Sequence, residues 1–228
     1  MIQSPVRKFR VSGFTLTELL VAIAIIAVLA VLVFGMTRSI MRQAAATRDA
    51  NTMRQMWTCI MMYAGDHNDL MPGPLFTGQA PIYNNKLSTN PREWRRLSDC
   101  LASYLGHENP EKGDFIEPMA ASWQKTPESH NSSAWHMQQE LIIGDDKKNT
   151  ENPWGKPAPA SNRMPMTYSA VMSQPQTSRT WAMTEIDQLH PERKPDIRSP
   201  EGMVHGSFRF GIYFDGSVRK LSVNNAPL

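Results

Sequence analysis

Residues 14–36 form an apolar run with one charged side chain, Glu18, and no other feature constrains the fold as strongly. A helix over this run covers about 34 Å at 1.5 Å per residue, enough to cross the hydrocarbon core of a bilayer. Arg7, Lys8 and Arg10 stand just before it. Basic residues on that flank are retained in the cytoplasm, so the reading is a single span with the remainder of the chain extracytoplasmic. The carboxylate is the anomaly, because a charge in hydrocarbon is costly and marks a function or a waiting partner. Of 24 basic side chains, those three lie in the first thirteen residues, which hold no acid; 21 basic against 21 acidic groups remain. The basicity therefore belongs to the leader, and no nucleic-acid partner is expected.

A secretory signal is cut behind its apolar segment at an A-x-A-like site, and the candidate, Ala44 to Ala46, lies beyond Arg38 and Arg42. Gly13 instead precedes the run directly, so a cut there removes the charges and keeps the helix. Gly13, Phe14, Thr15, Leu16, Thr17, Glu18 resembles the cleavage motif of the type IV prepilin family. The resemblance implies cleavage after Gly13 by a prepilin peptidase, N-methylation of Phe14, and assembly with other pilin-like subunits by an inner-membrane platform and ATPase. In a filament Glu18 can pair with the terminal ammonium of a neighbouring Phe14, fixing register where an unpaired charge is penalised. One departure is Gly35, where many pilins carry proline.

Beyond Met36 the pattern turns amphipathic: Ile40, Ala44, Ala50, Met53, Trp57, Ile60 and Ala64 recur at helical spacing between Arg38, Arg42, Arg48 and Arg54. One helix of about fifty residues is expected, stopping at Gly65, Asn68, Asp69 and Pro72-Gly73-Pro74. Asn51-x-x-x-Gln55, the exit from Tyr63 to Pro72, and His205, nine intervening residues, then Asp215-Gly216 resemble the prepilin-like subset with an H-X9-DG signature. Residues 73–165 carry no such likeness.

Phe208, Phe210, Ile212 and Phe214 alternate with other residues at strand period. A type I′ turn at Asp215-Gly216 then predicts a hairpin with Phe208 opposite Val223 and Phe210 opposite Leu221. Further strands are expected at 166–172 and 179–186, and short helices at 92–105 and 133–143. The fold class is α+β, a long N-terminal helix packed on a small C-terminal antiparallel sheet. An extended strand separates His205 from Asp215, so His205, Asp215 and Gly216 are read as a structural hairpin signature, not as a catalytic or metal site. No catalytic residue is expected, since Walker, HExxH and nucleophile-elbow motifs do not occur. Gly144-Asp145-Asp146 through Glu151-Asn152 offers oxygen ligands for calcium but lacks EF-hand spacing; no cofactor is expected. Cys59 and Cys100 allow one bridge or two buried thiols.

The expected organisation is a leader at 1–13, an assembly helix at 14–36, an amphipathic continuation with its exit at 37–72, and an extracytoplasmic head at 73–228. The family likeness implies a structural, non-enzymatic subunit of a type II secretion pseudopilus or of a type IV pilus-like filament. The membrane is then its precursor's location. The competing expectation is a membrane-anchored periplasmic binding module or enzyme that does not assemble.

Overall fold

The computed structural model describes residues 15–85, 95–144, 148–156, 163–192 and 197–226, excepting the side chains of 33–36 and 38. Gly13, Phe14 and the leader, and Asp145 and Asp146 of the acidic loop, lie outside the described residues. The chain divides into two compact units, Met1–Ala44 and Ala45–Leu228.

Helix α1 (Leu16–Asp66) runs through both units. In the first unit, every large apolar side chain from Leu16 to Leu32 is at least 55% exposed, with Leu16 at 80%. These residues occupy every side of the helix, so no single stripe marks a preferred face. Among the described residues no helix is long and apolar enough to cross a membrane. The apolar run of the sequence also includes Phe14, which lies outside the described residues.

In the second unit, Ala50, Met53, Met56, Trp57, Ile60, Tyr63 and Ala64 are buried at helical spacing. Ile40 and Ala44, expected on the same stripe, are exposed; burial on the helix begins at Asp49. The helix stops where expected, with Asn68 at φ 53° and Asp69 at φ 66° breaking the right-handed path.

The fold is α+β. Strands β1 (Gly78–Gln79) and β2 (Trp135–Met137), then β5 (Trp181–Glu185), β6 (Arg209–Tyr213) and β7 (Val218–Leu221), form one antiparallel sheet in that order. β3 (Leu141–Ile142) and β4 (Thr150–Glu151) make a separate pair. Short helices α2 (Leu97–Leu101), α3 (Pro127–His130) and α4 (Tyr168–Met172) fill the connections. Met53, Met56, Trp57 and Ile60 of α1 share a core with Trp135, Met137, Met183, Phe210, Ile212 and Phe214. Thioethers are prominent: Met53, Met56, Met119, Met137 and Met183 are fully buried and Met71 nearly so. Trp181, Tyr213 and Leu221 form a smaller cluster.

Several expectations change. The segment 166–172 carries α4 in place of a strand, because the Thr167 side chain accepts from the Ala170 N–H and caps a helix there. The expected helix at 133–143 is instead β2 and β3, paired to neighbours far away in sequence, a tertiary outcome that overrides local preference. The expected helix at 92–105 is shorter, α2 followed by a 3₁₀ turn at Ser103–Leu105.

The terminal hairpin forms one residue out of the expected register: Phe210 pairs with Lys220, and Leu221 with Arg209. A type I′ turn requires positive φ at both central residues, but only Gly216, at φ 80°, has it. The Gly216 N–H donates to the Tyr213 carbonyl, giving a longer loop. Because side chains alternate along a strand, the shift moves Leu221 to the opposite face from Phe210. A Cβ on Gly216 would stand 3.1 Å from the Trp57 indole nitrogen, so the turn is fitted closely to α1.

Candidate functional site

At the start of α1, Thr15 and Glu18 cap the helix reciprocally. The Glu18 N–H donates to Thr15 Oγ1 at 3.3 Å, while the Thr15 N–H donates to Glu18 Oε2 at 2.8 Å and the Thr15 hydroxyl reaches the same oxygen at 2.8 Å. Two of the helix's orphan donors are thus satisfied by one pair of side chains. The carboxylate is solvent-exposed.

The second constellation lies inside the larger unit, where three elements converge. Asp49 is the first fully buried side chain of α1; Glu185 ends β5; His205 precedes β6. His205 Nε2 stands 3.0 Å from Glu185 Oε1 and 3.7 Å from Asp49 Oδ2. The outer carboxylate oxygens are held by backbone: the Ser122 N–H donates to Asp49 Oδ1 at 2.7 Å and the Phe210 N–H to Glu185 Oε2 at 2.6 Å. The Ser122 hydroxyl also donates to Asp49 Oδ2 at 2.5 Å. Among the described residues, His205 is the only salt-bridge partner of either acid.

Electrostatics follow from burial. Exclusion of water pushes the Glu185 carboxyl up to about 7, and the nearby Asp49 charge adds to this, while His205 and the Phe210 N–H oppose it. Burial also raises Asp49 against the hydrogen bonds from Ser122. Burial pulls His205 down, but its hydrogen bond and charge interaction with Glu185, together with Asp49, leave it above the usual imidazole value. The three side chains form a protonatable, internally compensated knot.

A separate network occupies the sheet beyond it. Arg209, fully buried, holds Asp187 with a two-point grip, Nε to Oδ2 at 2.9 Å and Nη2 to Oδ1 at 2.7 Å. Its Nη1 donates to Asn225 Oδ1 at 2.6 Å. Asn225 Nδ2 lies 3.2 Å from His190 Nε2, which in turn lies 2.9 Å from the Thr184 hydroxyl.

The structure therefore gathers His205 with Asp49 and Glu185, and not with Asp215. Asp215 sits at the hairpin tip, accepting from Ser217 N–H at 2.9 Å and pairing with Arg219 at 3.1 Å. Cys59 and Cys100 are free buried thiols, and burial pushes Cys100 up to about 12. Sequence reasoning missed Asp49 and Glu185. Both carried a signal: Asp49 shares the helical phase of Met53, Met56 and Ile60, and Glu185 closes a strand that opens with Trp181, Ala182 and Met183.

Residues 8–34 match the family described as the prokaryotic N-terminal methylation motif. That motif points to type IV pilin-like and pseudopilin proteins, which are processed by prepilin peptidase and assemble with related subunits. No curated protein and no solved structure matches the chain.

Proposed function

We propose that the protein is a structural subunit of a type II secretion pseudopilus or a type IV pilus-like filament, with a pilin-like fold. The observation that carries this is the methylation motif over residues 8–34, whose Glu18 heads a helix with apolar side chains exposed on every side. Exposed apolar surface on this scale needs lipid or neighbouring helices to cover it. The precursor is held in the inner membrane by residues 14–36, with Arg7, Lys8 and Arg10 in the cytoplasm and the head in the periplasm. Prepilin peptidase cuts after Gly13, Phe14 is methylated, and an assembly ATPase and its membrane platform draw the subunit into the filament. There Glu18 neutralises the ammonium of a neighbouring Phe14. His205, Asp215 and Gly216 serve the head's architecture.

The test is the mass of the N-terminal peptide from protein extracted from its native membrane. A peptide starting at Phe14 with one added methyl group is expected. An intact Met1, or a cut near Ala46, would refute processing by this route and leave a plain anchor or a discarded signal. Deletion then separates the filament classes: lost protein export marks a secretion pseudopilus, and lost surface fibres mark a pilus.

A further inference from the structure

We propose that Asp49, Glu185 and His205 are the ligands of a buried structural site for a divalent transition cation of the zinc class. The inference is independent of filament assembly.

Three features of the geometry carry it. First, one donor atom from each residue lies within 4.8 Å of the others, on three separate elements of the unit. A tetrahedral ion with ligands at about 2.0–2.1 Å sets its donor atoms roughly 3.3–3.4 Å apart. The two nitrogen–oxygen separations, 3.0 and 3.7 Å, bracket that value. A single imidazole nitrogen thus faces two carboxylates at once, an arrangement that one N–H hydrogen serves poorly at the longer distance.

Second, each acid keeps its inner oxygen towards His205 while a backbone N–H from outside the trio fixes the outer one, Ser122 for Asp49 and Phe210 for Glu185. Supporting bonds of this kind orient ligands around an ion. Third, His205 is the one cationic side chain paired with these two buried acids among the described residues. Neither acid has a lysine or arginine partner among the described residues, and both are fully buried. Two carboxylates, a neutral imidazole and a divalent ion sum to zero.

The donor set chooses the metal. Calcium and magnesium prefer six or more oxygens, often with water, whereas one imidazole with two carboxylates in a closed space suits zinc or, less tightly, manganese. Such an ion would tie the first buried turn of α1 to β5 and to the residue before β6, with a water molecule in the fourth position.

The experiment uses the full chain in detergent, freed of metal by chelator and dialysed separately against zinc, manganese, calcium and magnesium chlorides. Elemental analysis should find about one zinc per chain, and the melting midpoint should rise by roughly 5–10 °C at zinc concentrations about 100-fold above the dissociation constant. Asp49→Asn, Glu185→Gln and His205→Gln should each abolish retention and the shift. If these variants do not fold, cobalt added to the wild-type chain decides: intense visible ligand-field absorption of a low-coordinate site is expected, displaced by zinc. Failure of the wild type to retain zinc or give that spectrum overturns the proposal, as does undiminished retention by folded variants.

Discussion

His205 Nε2 and Asp49 Oδ2 stand 3.7 Å apart, so the residue that opens the last hairpin meets the first buried residue of the long helix. Glu185 completes the contact at 3.0 Å from the same nitrogen. In chelator-treated protein this knot sets a pH dependence. Glu185 holds its proton up to about 7 when folded but releases it near 4.5 when unfolded, so the native state binds more protons across that window. Asp49 and His205 are also raised and act in the same direction. Stability should therefore fall as pH rises from about 4.5 to above 7, by on the order of a few kcal/mol. Urea unfolding at a series of pH values measures it, and Glu185→Gln should flatten the slope. A slope of opposite sign across that window would contradict this account of the knot.

Gly216 and Gly65 should respond oppositely to alanine. Gly216 has φ 80° and lies against the Trp57 ring, so Gly216→Ala should cost about 1–3 kcal/mol. Gly65 lies in α1 with open space where a Cβ would go, so Gly65→Ala should stabilise by about 0.5–1 kcal/mol. Melting curves of the two variants would show the divergence.

Arg209→Met should destabilise by about 3–5 kcal/mol, because it strands the buried Asp187 carboxylate without its two-point partner. Adding Asp187→Leu should recover much of that loss. A double-mutant cycle read by denaturant unfolding gives the coupling, and additive losses would show that the pair does not act as a unit.

Thr15→Val and Glu18→Gln separate capping from assembly. Thr15→Val removes the hydroxyl and should weaken the start of the helix by about 1 kcal/mol while filaments still form. Glu18→Gln keeps an acceptor for the Thr15 N–H but removes the charge, and filament yield in sheared or crosslinked fractions should collapse. Equal loss in both variants would assign Glu18 to the helix terminus alone.

The long helix, its stop and the strand over residues 181–185 were legible because hydrophobic period and turn residues act locally. β2 was not, since Trp135, His136 and Met137 are made a strand by partners on β1 and β5 distant in sequence. The hairpin was legible as a hairpin, but its register turned on a single φ angle, at Asp215, that Asp-Gly does not fix. His205 was visible as a motif residue; its company was not, because Asp49 comes from the long helix and Glu185 from a strand on the far side of a long loop. The Thr15-x-x-Glu18 capping box was legible locally, as a threonine followed three residues later by a glutamate at the head of an apolar run.

The thioether-rich core makes the head vulnerable to the order of events. While folded, Met53, Met56, Met119, Met137 and Met183 are shut away from peroxide. A chain that opens in an oxidising medium can convert those sulfurs to sulfoxides, which are polar and no longer fit an apolar interior. Refolding then fails chemically, so the lifetime of this head under oxidant is set by how often it opens.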